Sequence, residues 1–371
     1  MKIHCTKADL SKGVQIIQSA LSPRTTLPIL LNFLIETENR KVKLVSTDLE
    51  MGMKHYIPAE IETDGSITIP ARKFSDIIQS LQDGHDVDLT VDAGGRVHLK
   101  SGRSRFSIAG APKSEYPVLP SFSPDNAFTL PAGALLDMLK KTVFAASSDE
   151  TRYVLNGVFW GASADGLELV ATDGRRLARI HRKCDLGKKD FRVIVPTKVL
   201  LELSRLLGAQ DSKDALDEPV AVSVTDNQVA FQFATTTLIS RLLEGNFPNY
   251  EQVIPKKKDV QVTLAVKDFL AITKRAALCA ADRGGAVQYT FKKGALHVFS
   301  SSQNLEFNDE IPLDYAGDEF MIAFNPQFIA DGLKNIDSAQ VRLSMTSPTN
   351  PALMETADDS EYQYVVMPIR A

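Results

Sequence analysis

Apolar residues return three to four apart in two windows of each of three long stretches, and the segments between alternate apolar with polar. One trio of windows is IPARKFSDIIQSL (69–81), VPTKVLLELSRLL (195–207) and FNPQFIADGLKNI (324–336). Each starts as a strand, passes a proline near the first helical turn, and continues at helical spacing. A second helical trio is TKADLSKGVQIIQSAL (6–21), PAGALLDMLKKTVFAAS (131–147) and AVKDFLAITKRAALCAA (265–281). The third trio reads as strand, turn and strand: LVSTDLEMGMKHYIP (44–58), LVATDGRRLARIHRK (169–183) and VFSSSQNLEFNDEIP (298–312). All three motifs keep the same order in every copy, offset by about 125 residues and then by about 129–134. One short similarity arises by chance; three in register, three times over, mark an internal repeat.

Each copy therefore reads as a helix, several strands, a second helix and more strands. VKLVSTDLEM, VHLKSGRSRFSIAG, VAVSVTDNQVAFQFATTTLISRLL and ALHVFSSS are alternating or β-branched, with turns at AGGR, DNQ and KKGA. Two helices on mostly antiparallel sheets, repeated, predict an α+β chain of three similar domains. The Pro/Ser-rich PVLPSFSPD and the basic run at 255–259 place the boundaries, giving domains 1–125, 126–259 and 260–371. Copies of about 120 residues are long enough to bury their own cores.

Composition narrows the class. Apolar residues make up 44% and charged residues 24%, which excludes disorder as the main state. Cys5, Cys184 and Cys279 lie far apart, so neither a disulfide framework nor a CxxC pair is expected. The N-terminus has no apolar h-region. The longest apolar run, nine residues at 27–35, is interrupted by Asn32 and is about half of what a membrane span needs. These features predict a cytoplasmic protein with no membrane partner.

Catalytic signatures are missing. Neither GxxxxGK nor GxGxxG after a strand occurs, and GASADG (161–166) fails as a GxSxG elbow because its fifth residue is Asp165. The six histidines never form HxH or HxxxH, so no metal or cofactor is predicted. The string Thr172-Asp173-Gly174-Arg175-Arg176 could place a metal ligand beside phosphate-binding arginines. Copy one has Thr47-Asp48-Leu49 there and copy three Ser301-Ser302-Gln303, so turn and cap chemistry is the simpler reading. A phosphate-processing enzyme built on Asp173 remains an alternative, as does a protein-interaction scaffold.

Charge is unevenly placed. The six helical stretches hold twelve Lys/Arg against six Asp/Glu in a chain of net charge −4, so the remainder is acidic. Lys12, Arg72, Lys73, Lys140, Lys141, Lys198, Lys274 and Arg275 are among the contributors. A basic lining without interleaved aromatics suits phosphate contact and not base reading. Along the chain, residues 1–125 sum to 0, 126–259 to +1 and 260–371 to −5. Copy one has a basic strand with Arg103, Arg105, Phe106 and Ile108. Copy three offers Glu306, Asp309 and Glu310 near a strand edge, with Leu278 nearby. Opposite signs at the two ends permit a head-to-tail contact that closes a ring.

At the carboxyl end, Pro368 cannot donate a ladder hydrogen bond. The last five residues are therefore expected to leave the sheet, with Leu155, Leu177, Pro248 and Val253 as an apolar surface near them and Arg176 and Arg370 at its rim.

The strings RTTLPILLNFLI (24–35), STDLEM (46–51), IPARKF (69–74), SGRSRFS (101–107), TRYVLNG (151–157), ATDGRRLA (171–178), VIVPTK (193–198), GNFPNY (245–250) and YVVMPIR (364–370) closely resemble the bacterial DNA polymerase III β-subunit, or sliding-clamp, family. The resemblance runs the length of the chain. It implies a non-enzymatic processivity factor: a head-to-tail homodimer forming a six-domain ring (the DNA clamp fold) around duplex DNA, bound without sequence preference. It further implies DNA-facing Arg24, Arg72, Lys73, Tyr153 and Lys198. It places a partner pocket at Leu155, Thr172, Gly174, Arg175, Arg176, Leu177, Pro248, Val253, Asn325, Phe328, Met367, Pro368, Ile369 and Arg370. The implied partners are the polymerase III catalytic subunit, the clamp loader, and other polymerases and repair proteins. They dock through short motifs with a Gln followed by Leu or Phe.

Overall fold

The computed structural model describes residues 1–22, 25–209, 216–280, 285–356 and 358–370. Copy one runs β1 (Lys2–Thr6), α1 (Lys7–Gln18), β2 (Asn32–Glu38), β3 (Lys41–Thr47), β4 (Met51–Pro58), β5 (Glu60–Thr63), β6 (Ser66–Pro70), α2 (Ala71–Ser80), β7 (Asp86–Val91), β8 (Arg96–Ser101) and β9 (Ser104–Ala109). Copy two repeats the order without the short fifth strand. It runs β10 (Ala127–Pro131), α3 (Ala132–Thr142), β11 (Gly157–Ser163), β12 (Gly166–Thr172), β13 (Arg176–Arg182), β14 (Phe191–Pro196), α4 (Thr197–Gly208), β15 (Pro219–Val224), β16 (Gln228–Phe233) and β17 (Thr236–Arg241). Copy three matches copy two. It runs β18 (Val260–Ala265), α5 (Val266–Ala277), β19 (Val287–Lys292), β20 (Ala295–Ser301), β21 (Glu306–Pro312), β22 (Phe320–Phe324), α6 (Pro326–Lys334), β23 (Gln340–Met345), β24 (Ala352–Glu355) and β25 (Tyr362–Val366). The expected α+β repeat of two helices with antiparallel strands is present three times. No described helix is long and apolar enough to cross a membrane.

The sheets cut across the repeats. The described chain divides into two compact units, Met1–Gly133 with Glu202–Leu242, and Ala134–Leu201 with Leu243–Ala371. In the first, a five-stranded sheet (β5-β1-β7-β8-β9) lies beside an eight-stranded one (β10-β15-β16-β17-β4-β3-β2-β6). The eight-stranded sheet joins half of copy one to half of copy two through β4 and β17, with Met51 opposite Ser240 and Met53 opposite Leu238. The second unit repeats the device. There β13 of copy two pairs with β25 of copy three in an eight-stranded sheet, Arg176 opposite Val366 and Ala178 opposite Tyr364, and a four-stranded sheet (β21-β20-β19-β22) completes it.

Helices form where the periodicity demands and cover these sheets. Thr6 caps α1 by accepting from the Asp9 backbone N–H at 3.0 Å. The buried face of α1 is Leu10, Gly13, Val14 and Ile17, with Lys12 on the exposed face. Gly13 lets that face approach the sheet closely: a Cβ there would lie 2.7 Å from Leu44 Cδ1. In α2, Ala71, Phe74, Ser75 and Ile78 point inward while Arg72 and Lys73 are exposed. The largest fully buried side chains include Trp160, Tyr289, Tyr362, Tyr364, Phe74 and Phe231, and burial of each such Phe contributes about 1.5–3 kcal/mol.

Candidate functional site: a partner pocket, a basic helix set and two open edges

The turn between β12 and β13 is built by its own side chains. Thr172 Oγ1 accepts from the Gly174 N–H at 3.0 Å and donates to the Arg176 carbonyl at 2.6 Å. Asp173 Oδ1 accepts from the Arg175 and Arg176 N–H groups, at 2.9 and 3.0 Å, and its Oδ2 accepts from Arg176 Nε at 3.0 Å. Gly174 sits at φ +82°, where glycine carries no Cβ penalty. Every carboxylate oxygen of Asp173 is thus engaged in the turn. This is cap chemistry.

Immediately after the turn, β13 offers Leu177 opposite Val365 of β25. These two pack with Val170 and Leu353 as a buried cluster, against which Phe159, Phe247, Tyr250 and Ile254 are seated. Over the cluster lies a cavity of about 140 Å3 lined by Leu155, Thr172, Gly174, Arg176, Leu177, Pro248, Asn249, Tyr250, Val253, Val365 and Met367. Its floor is core and its lip is apolar yet exposed, with Val253 41% and Met367 37% accessible. An exposed apolar lip over a preformed apolar floor is chemistry for an apolar side chain.

Eight sequence-predicted residues line this cavity: Leu155, Thr172, Gly174, Arg176, Leu177, Pro248, Val253 and Met367. The other six, Arg175, Asn325, Phe328, Pro368, Ile369 and Arg370, lie outside the lining. The Met367 N–H donates to the Arg175 carbonyl at 2.9 Å and the Ile369 N–H to the Ala323 carbonyl at 2.8 Å, so residues 367–370 leave the sheet as expected. Asn325 is the cap of α6, accepting from the Gln327 N–H at 2.9 Å. Phe328 lies under Arg176, whose guanidinium carbon is 4.7 Å from the ring centroid. Pro368 is half-buried and Arg370 exposed.

The expected rim position of Arg176 needs correction, because its side chain is only 11% accessible. It is an internal brace. It bonds Asp173, Asp331 (2.8 Å) and the Phe144 carbonyl (2.8 Å), and the Phe144 ring centroid lies 5.6 Å from its guanidinium carbon. Burial works against the charge, but Tyr364, Asp331 and Asp173 more than offset it and hold the guanidinium above its ordinary pKa.

Sequence reasoning missed Asn249, Tyr250 and the residue that holds Tyr250. The Tyr250 hydroxyl donates to Glu168 Oε2, while Glu168 Oε1 accepts from Arg179 Nε at 2.5 Å. Burial and then this hydrogen bond push the Tyr250 hydroxyl pKa up, so it remains a donor. The sequence signal was the string GNFPNY (245–250), which contains both residues and the aromatic Phe247.

The basic candidates fall into two groups. Lys12, Arg72, Lys73, Lys140, Lys198 and Lys274 are exposed on helices, and Tyr153 is 55% accessible in the turn Tyr153–Asn156. Arg275 is exposed but pairs with Asp309 at 2.7 Å. Arg24 lies outside the described residues. Lys141 is a correction. It is 8% accessible, salt-bridged to Asp137 at 2.8 Å and to Asp359 at 3.1 Å, and seated over the Tyr362 ring. Burial lowers its pKa and these carboxylates raise it, with a net rise, so its charge is used inside the fold. Among the described residues no group of three or more His, Cys, Asp or Glu is placed to hold a metal ion.

The two predicted edge strands are edges. β9 closes one side of the five-stranded sheet and β21 one side of the four-stranded sheet. Arg105, Glu306 and Glu310 are exposed along them, Phe106 is half-buried, and Leu278 is 72% accessible; Arg103, expected on the strand, stands exposed in the tight turn just before β9. Ile108, by contrast, is buried against its own sheet, and Asp309 faces Arg275.

Comparison with known proteins places this arrangement. Residues 1–120, 129–249 and 251–370 match the N-terminal, central and C-terminal domains of the DNA polymerase III β subunit. The chain is 32% identical to the β sliding clamp of Bacillus subtilis over 383 residues, covering all of both chains. It is 32% identical to that of Synechocystis over 393 residues, covering 100% of this chain and 99% of the relative. The crystal structure of the Bacillus subtilis clamp superposes with a TM-score of 0.95 at 31% identity, over 100% of this chain and 99% of that one. The clamp of Pseudomonas aeruginosa, solved bound to griselimycin, gives 0.94 at 29% identity over the whole of both. The three-fold repeat, the sheets shared between copies and these full-length matches together place the chain in the DNA polymerase III β-subunit family, the bacterial sliding clamps.

Proposed function

We propose that two copies of this chain close head to tail around duplex DNA and tether polymerases and other DNA-processing proteins through the pocket over Leu177 and Val365. The observation that carries this reading is the repeated seam. β4 pairs with β17 and β13 with β25 at equivalent positions of the repeat, so the pairing rule is fourth strand of one copy to last strand of the next. One fourth strand, β21, and one last strand, β9, remain open. A second chain supplies the missing partner for each, and edge pairing plus opposite charge sets the orientation.

Exposed helix cations support the DNA half. Arg72 and Lys73 in α2 stand in a first turn that holds no acidic residue. A cation there opposes the helix dipole by about 0.3–1 kcal/mol, a cost that phosphate contact explains and folding does not. A ring held by topology needs only weak attraction to phosphate, and high local concentration of the tethered polymerase gives processivity. The pocket, sized for apolar anchors, fits the Gln-Leu-Phe type of motif in the polymerase III catalytic subunit, the clamp loader and repair proteins. Bound griselimycin on the Pseudomonas aeruginosa clamp is consistent with a peptide site in the family.

The test is to place the protein on nicked circular duplex with a clamp loader, raise the salt, and then linearise the DNA. Retention at high salt on circles with loss after linearisation is expected, because phosphate contacts weaken with a slope of about −0.9 per contact in log K against log salt while encirclement has no such slope. Equal loss before and after linearisation overturns the reading.

A further inference from the structure

Beside the pocket, sharing Val253 as a common wall, lies a second and wider groove of about 770 Å3. One side is the segment after Val253, with Pro255, Lys256, Lys257 and Asp259; the other is the turn between β23 and β24, with Thr346 and Asn350. That turn is neutral and tied to itself, Asn350 Nδ2 donating to Thr346 Oγ1 at 3.0 Å. The charge of the groove therefore comes from the lysine run, with Asp259 opposing it in part. Lys258 is neutralised by Glu355 at 2.6 Å. Lys256 and Lys257 are exposed and pair with no carboxylate among the described residues.

The repeat provides an internal control. Gly110 to Pro120 and Gly245 to Pro255 are both eleven residues long, ending Val-Leu-Pro in copy one and Val-Ile-Pro in copy two. After the proline, copy one continues Ser121-Phe122-Ser123, whereas copy two continues Lys256-Lys257-Lys258. The lysines thus stand only where the pocket stands. They are also local exceptions: copy three, which begins next to them, carries a net −5.

We propose that this groove receives an acidic run of the partner peptide, directly flanking the apolar anchor on the Val253 side. The inference rests on the pocket being a peptide dock, as argued above. Lys256 and Lys257 attract the run at short range, since screening confines exposed charges to about 10 Å at 0.1 M salt. The acidic body of copy three disfavours it elsewhere. Partners with acidic flanks would then outcompete partners with the same anchor and neutral flanks.

Fluorescence anisotropy of labelled peptides on the full chain decides the matter. The probes are a Gln-Leu-Phe anchor alone, the anchor with four glutamates before it, the anchor with four after it, and matching lysine versions. One acidic version should bind about threefold to tenfold tighter than the anchor at low salt, the range that a few exposed ion pairs supply, and lose the gain as salt rises. Lys256→Glu with Lys257→Glu should erase the gain and leave anchor affinity unchanged. The proposal is overturned by an acidic flank that helps on neither side, or by a gain that survives the double substitution. An anchor peptide that fails to bind even the unaltered chain removes the pocket reading, and this inference with it.

Discussion

Leu49 adopts φ +77°, in the same turn where copy two has Gly174 at φ +82°. The hydrogen bonds around it are the same. Thr47 Oγ1 accepts from the Leu49 N–H at 3.0 Å and donates to the Met51 carbonyl at 2.8 Å, and Asp48 Oδ1 accepts from the N–H groups of Glu50 and Met51. A left-handed L-residue costs about 1–2 kcal/mol, and glycine's extra chain entropy returns about 0.5–1 kcal/mol of that. Leu49 is 43% accessible, so more than half of it is covered, and on a scale of about 1.5–3 kcal/mol for full burial that packing is worth about as much as the strain. Leu49→Gly should therefore leave the urea midpoint nearly unchanged, within about 0.5 kcal/mol; a clearly higher midpoint would mean that the strain outweighs the packing. The Thr-Asp turn was legible in the sequence because its chemistry is local. The burial of Lys141 and the anchoring of Tyr250 were not: Lys141 has Asp137 four residues before it, but Asp359 and Glu168, which complete the two sites, lie 218 and 82 residues away.

At the scale of elements, helix positions followed from apolar spacing, because each helix buries one face. Which strands would pair did not follow. Alternation fixes the face a strand buries but not which of several free edges it joins. The seam between β4 and β17 contains a titratable group that only the structure discloses. His55 is 7% accessible, opposite Thr236, with Nδ1 2.9 Å from Thr236 Oγ1. Burial first, and then nearby Lys12, push its pKa down to about 4, with Asp9 opposing weakly. Above pH 6.5 the ring is neutral folded or unfolded. As the pH falls from 6.5 toward 4 the unfolded chain takes the proton more readily, so stability present at neutral pH is lost, by up to about 3 kcal/mol from this group. Urea midpoints at pH 7.5 and 4.5 should fall less for His55→Gln than for the unaltered chain. Equal falls would exclude His55 as the source.

For the molecule as a whole, the repeat was legible and the sharing of sheets was not, yet the sharing is what makes assembly predictable. Met51 and Arg176 are equivalent, as are their seam partners Ser240 and Val366. Aligned through the same motifs, the equivalents on the open strands are Leu305 in the turn before β21 and Ile108 in β9. Extending the seam register to a second chain puts Phe307 opposite Phe106, Asn308 opposite Arg105 and Glu310 opposite Arg103. Arg105 then lies diagonally between Glu306 and Glu310 on the face away from the helices, where exposed opposite charges favour one register. Phe106, Phe307, Leu305 and Leu278 are left to bury one another. Asp309, held by Arg275 at 2.7 Å, takes no part in the charge pairing. Directly opposed residues of antiparallel strands have Cα atoms about 4.5–5.5 Å apart, within disulfide reach. Arg105→Cys with Asn308→Cys should therefore cross-link into covalent dimers under mild oxidation, read on a non-reducing gel. Ser107→Cys with Asn308→Cys, two residues out of register, should do so poorly. Cys5 and Cys279 are buried and Cys184 partly so, which keeps the background low. Faster cross-linking by the slipped pair would show that the third seam departs from the rule the first two share, and that the ring closes by a register of its own.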